Sequence, residues 1–419
     1  MRILMLASSF PKWPGETTAP FIEEIAAGVA ARGHAVTLLL PEHPELRRDP
    51  VVRGVRLRPF RYAPHPALRI WGYAQSLLSD TQIKRRTLVA APFALAASCA
   101  AVARELAAGR AAGRPYHLVH AHWVLPNGPP AALPAAVQAL PLVVSLHGSD
   151  IYLAEQHWAM ALAARAAFRA AAMVTACSGD LRERGVRLGA RPEVSRVIPY
   201  GVNPAQFRPD PTARAAVRAE LGLAGDAPLV VGLGRLVAKK GFGVLLEAWP
   251  AVLRACPHAT LAIVGYGDLR DALERQAADL GVMARVRFTG QLPRDRAAAY
   301  MAAADVFVLP IVREGVDGLP NVLLEAMSAG RAVVASRVAG VPDVVDDGVH
   351  GLVVPERDPA ALAAAIVRLI SEPDLAARLG ATARACVEQE LTWDRAAERL
   401  ESAFQVAVAS RPPAGSNRP

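Results

Sequence analysis

The 419-residue sequence is short of aromatics, at 5% of the chain, and holds only four cysteines. Cys99, Cys177, Cys256 and Cys386 are widely scattered and none forms a C-x-x-C pair, which argues against the common zinc and thiol-redox motifs. Reduced, structural thiols fit a cytoplasmic setting. No signal-peptide core is visible: Met1 and Arg2 lead into the short run Ile3–Ala7, with no small-residue cleavage site. The longest weakly polar run, Thr87–Ala103, is about the minimum length for a membrane span, but it contains Pro92 and is mostly alanine. It is read as a buried or half-buried helix. No repeat of solenoid period is present. What is there is a 53% hydrophobic, 20% charged composition, which excludes a disordered chain and is long enough for two domains.

The net charge of +9 is unevenly placed. Residues 1–205 hold 23 Lys+Arg against 13 Asp+Glu, giving +10, while residues 206–419 hold 24 against 25, giving −1. The basic half is either a solubilising surface or a face that meets something anionic, such as a bilayer or a lipid-phosphate acceptor. Within it Arg53–Arg61, Arg69 and Lys84–Arg86 interleave with Phe60, Tyr62, Trp71 and Tyr73, a pattern that suggests peripheral membrane contact. No nucleic-acid motif accompanies the charge, so no nucleic-acid partner is expected.

Short apolar runs alternate with helical ones. Strands are expected at Ile3–Leu6, Val36–Leu40, His117–His120, Leu142–Leu146, Met173–Ala176 and Val194–Ile198, with a helix at Phe21–Arg32 stopped by Gly33. The alternation restarts after Tyr200–Pro204, with strands at Leu229–Leu233, Leu261–Val264, Val286–Phe288, Val306–Leu309 and Val333–Ala335. The fold class is therefore α/β, two units with parallel sheets covered on both faces. Three helical segments, about 359–370, 373–388 and 393–408, close the chain before a tail at 411–419 that reads as disordered.

Ligands of such sheets sit outside the carboxyl ends of the strands, so the loops there matter most. Val231–Gly241, VGLGRLVAKKG, joins a strand to a helix. Gly232 and Gly234 allow close backbone approach, Arg235 offers a planar fork of donors and Lys240 a point charge, a set that suits a diphosphate. Val237 stands where a dinucleotide fingerprint needs its third glycine, and an ordinary basic surface loop fits the same residues. In Ile263–Asp268, Gly265 and Gly267 would let a flat base lie on backbone. His147-Gly-Ser-Asp150 follows a strand of the first half; a helix cap or a hydrogen-bonded loop histidine explains it as well as a reactive group does.

The stretch Arg313–Gly330, REGVDGLPNVLLEAMSAG, carries Glu314, Asp317 and Glu325 around Gly-Leu-Pro. Pro320 suits the first turn of a helix, leaving the N–H groups of Leu319, Asn321 and Val322 free to take an anion. Asp317 and Glu325 would bracket that anion with hydroxyl acceptors. The alternative is an acidic first turn that complements the helix dipole.

Taken in order, these motifs resemble the retaining GT-B glycosyltransferases of the GT4-like family, the glycosyl transferases group 1. The resemblance rests on IPYGVNPAQF at Ile198–Phe207, GLGRLVAKKG at Gly232–Gly241, AIVGYGDLRDAL at Ala262–Leu273, VRFTGQLP at Val286–Pro293, AAADVFVLP at Ala302–Pro310 and DGLPNVLLEAMSAGRAVVAS at Asp317–Ser336. HAHWVLPNG at His120–Gly128 and SLHGSD at Ser145–Asp150 agree more loosely. The resemblance implies two Rossmann-like domains facing a central cleft, with a C-terminal helix packing back toward the N-terminal domain. The boundaries expected are 1–203 with 393–410 returning to it, and 204–392.

It further implies a hexosyltransferase that moves a sugar from a UDP or GDP donor to an acceptor hydroxyl, with retention, in polysaccharide or glycolipid biosynthesis. Gly234, Arg235 and Lys240 would hold the diphosphate, Leu319, Pro320, Asn321 and Val322 the phosphates, Gly265 and Tyr266 the base, and Glu325 the ribose. Asp317 would hold the donor sugar and His147 would sit near the reacting carbon, making His147, Asp317 and Glu325 the catalytic set. Gly15 and Phe21, with His122, would form the acceptor side. Asp317 departs from the family's usual Glu by one methylene. The partners implied are a nucleotide sugar and a saccharide or lipid-linked acceptor; a cytoplasmic location is expected, with the basic first half adding contact with an anionic membrane surface at its inner face as the alternative to a free one. No cofactor is implied, and with no Asp-x-Asp in the sequence no metal is expected. A non-catalytic nucleotide-binding homologue and an NAD-dependent oxidoreductase are the rival readings. The latter wants an acid about 20 residues after the glycines, where Arg254 stands.

Overall fold

The computed structural model describes residues 1–410 except 64, 66–67, 74–76, 79–81 and 316. The tail at 411–419 lies outside the described residues. The chain forms two compact units. The first comprises Met1–Pro199 and Gly315–Gly318, with the helix Trp393–Ala409; the second comprises Tyr200–Glu314 and Leu319–Thr392. Each is built on a sheet whose central strands are parallel.

The strands of the first unit are β1 (Arg2–Leu6), β2 (Ala35–Pro41), β3 (Val51–Val52), β4 (Val55–Phe60), β5 (Leu77–Leu78), β6 (Gln82–Ile83), β7 (Leu118–His122), β8 (Leu142–Leu146), β9 (Ala171–Ala176) and β10 (Ser195–Val197). Eight form one sheet in the order β10-β9-β8-β7-β1-β2-β4-β3, with only β3 antiparallel, and β5 pairs β6 separately. Helices cover both faces, so β7 and β8 are buried at every residue and read as unbroken apolar runs interrupted only by His120, His122 and Ser145. The helix Trp393–Ala409 packs on the helix Pro20–Ala31, where Gly28 lets Ala397 approach so closely that an added Cβ would stand 3.0 Å from it. Glu401 accepts from Arg32 at 2.6 Å and lies 2.9 Å from His34, which fixes this returning helix in register.

The second unit holds β11 (Leu229–Leu233), β12 (Thr260–Val264), β13 (Val286–Gly290), β14 (Val306–Leu309), β15 (Ala332–Ser336) and β16 (Leu352–Val354), parallel throughout in the order β13-β12-β11-β14-β15-β16. Two of its helices start at side-chain caps. Asp210 accepts from Ala213 N–H and Asp358 from Ala361 N–H, both at 2.9 Å, and a proline follows each cap. Trp249, wholly buried, fills the core between the sheet and its helical cover.

One expectation changes. Phe60, Tyr62, Trp71 and Tyr73 are all buried, with Tyr62 Oη accepting from Trp71 N–H at 3.0 Å and Tyr73 Oη donating to the Pro41 carbonyl at 3.0 Å. These aromatics hold the loop onto the sheet and do not alternate with the arginines on a surface. Thr87–Ala103 lies within one helix, Arg85–Ala111, which is only partly covered.

Candidate active site

Each sheet has a switch point, where successive strands depart to opposite sides of a first strand. In the first unit it lies between β1 and β7, and in the second between β11 and β14. The loops that leave these four strands carry most of the residues singled out by sequence.

At the first switch point the loop after β1 carries Gly15, exposed at φ +85° with open space where a Cβ would lie, and leads to Phe21. The strand β7 ends at His122, and His147 follows β8. The Phe21 and His147 rings lie 5.0 Å apart, and the His122 and His147 rings stack at 5.4 Å with their Nδ1 and Nε2 atoms 3.2 Å apart. Trp123 completes the cluster, 4.8 Å from His147, with a left-handed φ of +64° that is costly for a tryptophan. Gly318 belongs to the same unit. A Cβ on it would meet Cys177 Sγ at 2.4 Å and the His147 carbonyl oxygen at 3.1 Å, so the chain beside Asp317 is pressed against the His147 loop.

Behind these residues sits a polar chain that the sequence did not single out. His120 Nε2 is 2.7 Å from Ser145 Oγ, which is 2.6 Å from Thr175 Oγ1. The alternation of His120 and His122 on a buried strand was the available signal. Burial depresses the His122 pKa to about 3 and holds His120 and His147 well below the ordinary histidine value, with the neighbouring histidines adding to the shift for both. All three rings are neutral near pH 7. Asp150 is buried too. It accepts from the backbone N–H of Val124 at 2.8 Å, Gly148 at 2.9 Å and His147 at 3.3 Å, and desolvation still lifts it to about pH 6. Its work is to tie the His147 loop to the end of β7.

At the second switch point the loop after β11 and the loop after β14 are laced together. Val312 N–H donates to the Lys239 carbonyl at 3.0 Å, and a Cβ on Gly241, φ +66°, would sit 1.8 Å from the Pro310 carbonyl oxygen. Only glycine allows that approach. The stem of Lys240 lies over Gly234, its carbons 3.8 Å from a Cβ built there. Arg235 lies one residue further along the same loop. Gly265 and Gly267 have a different reason from the one expected. A Cβ at Gly265 would stand 1.8 Å from the Gly234 carbonyl oxygen, and one at Gly267 2.5 Å from that of Leu236. Both glycines let the loop after β12 lie on the Gly234–Leu236 main chain, which leaves Tyr266 half exposed between them.

The helix after the β14 loop runs Asn321–Ser328, one residue later than expected, with Pro320 at the N-cap (φ −68°, ψ 113°) rather than inside the first turn. Leu323 N–H already donates to the Pro320 carbonyl at 3.0 Å, as the first turn closes. The amides of Asn321 and Val322 remain at the helix opening, with Leu319 immediately before it. The Asn321 side-chain oxygen is buried without a partner among the described residues. Glu325, on the second turn, is pushed up to about pH 7 by burial, with Arg294 at 3.8 Å pulling the other way. Arg294, missed in the sequence, stacks over the Phe207 ring at 5.5 Å. Glu314 is a loop residue paired to Arg357 at 2.7 Å. Among the described residues no group of three or more His, Cys, Asp or Glu side chains is placed to hold a metal ion.

Two parallel-sheet units, each with its functional loops at a switch point, define the GT-B class of transferase fold. The solved structures agree on the fold. Anabaena HepE in complex with UDP superposes with a TM-score of 0.76 at 22% identity, over 97% of this chain and 100% of that one. Sucrose-phosphate synthase from Thermosynechococcus elongatus gives 0.75 at 22%, over 98% and 99%. Residues 227–372 match the family of glycosyl transferases group 1, and residues 17–201 the glycosyl transferase 4-like domain. A GDP-mannose-dependent alpha-(1-6)-phosphatidylinositol monomannoside mannosyltransferase of Mycobacterium tuberculosis is 31% identical over 95% of this chain and 97% of its own. The protein of the same description from Mycolicibacterium smegmatis is 38% identical over 62% of this chain and 68% of its own. The chain belongs to the GT4-like group 1 glycosyltransferases.

Proposed function

We propose that the protein transfers a hexose from a nucleotide-diphosphate sugar to a hydroxyl of a lipid-linked saccharide or inositol acceptor, with retention at the anomeric carbon. GDP-mannose is the first donor to test, on the strength of the mannosyltransferase relatives. The observation that carries the reading is the pairing, in one unit, of a cationic glycine loop with a helix opening that holds a buried Asn321 oxygen, without a partner among the described residues, and a Glu325 pushed up to about pH 7. Cations and amides suit a diphosphate, and a carboxylate suits a ribose diol.

In the proposed reaction the bond from the anomeric carbon to the β-phosphate oxygen breaks as positive charge builds on the sugar. Arg235, Lys240 and the amides of Leu319, Asn321 and Val322 stabilise the negative charge growing on the leaving diphosphate. The acceptor oxygen bonds to the same face, and its proton passes to the departing phosphate oxygen. Asp317 accepts hydroxyls of the donor sugar, Gly265 and Tyr266 flank the base, and His147 lines the reacting side. Gly15, Phe21 and His122 serve the acceptor. No metal takes part in this scheme, and the enzyme works at the cytoplasmic face of a membrane.

A donor panel, with mass detection of released nucleoside diphosphate and NMR assignment of the product anomer, tests the proposal. Release of GDP or UDP with an α-linked product, undiminished by EDTA, is expected. An inverted product, or no release with any donor while nucleotide still binds, would overturn it.

A further inference from the structure

We infer that the outer face of three neighbouring helices in the first unit, Arg85–Ala111, Val124–Val137 and Trp158–Ala170, is a docking surface for an anionic lipid bilayer. The middle helix packs against both of the others, so the three form one layer over the sheet. Their exposed positions are apolar to an unusual degree. Leu88, Val89 and Phe93 stand out from the first helix, Leu133 from the second, and Trp158 and Leu162 from the third, with Trp158 83% exposed. The first helix has an 18-residue window of mean hydropathy 1.6 that is only 33% buried. Single exposed hydrophobics are ordinary, but a run of them across adjacent helices marks an interaction face.

Charge identifies the occupant. The three helices hold six arginines and a single acid, Glu105, which accepts from the Tyr116 hydroxyl at 2.8 Å. Arg86, Arg104, Arg110, Arg165 and Arg169 are exposed beside the apolar side chains. An apolar face rimmed by cations, with a tryptophan at its edge, fits the headgroup region of an anionic bilayer. A second copy docked through the same face would set like charges against each other. Nor does the first helix read as a span, because Ala90, Ala94, Val102 and Leu106 are buried and lay it along its unit.

This inference extends the reading of a lipid-linked acceptor, and its test uses no turnover, so the two fail separately. Co-sedimentation of the full chain is measured at low salt with vesicles of phosphatidylcholine alone and of phosphatidylcholine with phosphatidylglycerol. The parent is expected to pellet with the mixed vesicles and to be released by salt. Arg86→Glu with Arg169→Glu should weaken binding by about fivefold or more per charge, and Phe93→Ser with Trp158→Ser should abolish it. Both positions of the second pair are exposed, and a thermal melt confirms that each variant is folded. Met283→Ser with Val349→Ser, exposed positions of the second unit, should bind as the parent does. Equal binding by parent and helix-layer variants overturns the inference, as does a parent that stays in the supernatant. So does light scattering that shows a dimer which Trp158→Ser dissolves.

Discussion

In the first unit the polar side chains at the carboxyl ends of the strands are engaged with one another. His122 meets His147, His120 meets Ser145 and then Thr175, and Asp150 takes up three backbone amides. In the second unit the corresponding loops are held by backbone contacts between glycines and carbonyls, and among the described residues Asn321 Oδ1 is buried without a hydrogen-bond partner while Glu325 faces Arg294 3.8 Å away. The first arrangement is a prebuilt wall in which three neutral imidazoles stand beside a buried carboxylate, with His120 Nδ1 and His122 Nε2 buried without a partner among the described residues. The second is the cationic glycine loop and helix opening that the proposed reaction assigns to the diphosphate. A donor that must be held by its phosphates and an acceptor that needs mainly a shaped surface would call for this difference.

The largest test of the comparison is Arg235→Ala. Loss of a charge-stabilising donor should lower kcat by about 10² to 10³, with little change in melting temperature. Unchanged turnover of a confirmed donor would show that the second unit does not stabilise the leaving group through this loop. Next is Glu325→Gln, expected to weaken nucleoside diphosphate binding by about tenfold to a hundredfold, as for a charged hydrogen bond. Burial pushes Glu325 up to about pH 7, and in the proposed reaction its ionised form accepts from the ribose hydroxyls. Affinity should therefore rise from pH 6 to pH 8 in the parent and lie flat in the Gln variant, read by isothermal titration calorimetry. Asp317→Glu restores a methylene and should shift the ratio of kcat/KM between two donors by about tenfold. A ratio that does not move would remove Asp317 from donor selection.

The smallest effect concerns the first unit and acid. His120, His122 and His147 have depressed pKa values in the fold, so their contribution to stability is complete above pH 6.5. It is lost as pH falls below 6.5, for His122 toward about 3. Asp150, raised to about 6, runs the other way, gaining as pH falls from 6 to 3.8. Three histidines against one aspartate should make the unit less stable at pH 5.5 than at pH 7, by about 1 kcal/mol for each histidine. His122→Phe should flatten the pH dependence of the melting temperature by one such step. An identical slope would mean that this histidine is not held neutral.

Much of the fold was legible because it is local. The strands Leu142–Leu146, Leu229–Leu233 and Val306–Leu309 fall where β-prone apolar runs are bounded by turn residues. The short strands β3, β4 and β16 were not separated from loop, since alternating arginines in β4 and three residues in β16 carry little period. The site was legible in part. Arg235, Lys240, Glu325 and His147 stood in motifs, whereas Arg294 and His120 matter only through partners distant in sequence.

The roles of the glycines show where local reading stops. Gly265, Gly267 and Gly318 looked like room for a ligand or a turn, yet each accommodates a piece of main chain or a thiol from elsewhere in its unit. By itself the sequence determined which segments become strands and helices, because hydrophobic period and capping act within a few residues. It also determined the kind of chemistry, because the charged loops of the family are contiguous. Tertiary structure alone decided the strand order that places the loops after β1 and β7 side by side, and those after β11 and β14. It also turned the aromatics of residues 60–73 inward and left the helical layer of the first unit exposed. Pairing and burial are set by partners tens to hundreds of residues away, and no local pattern encodes them.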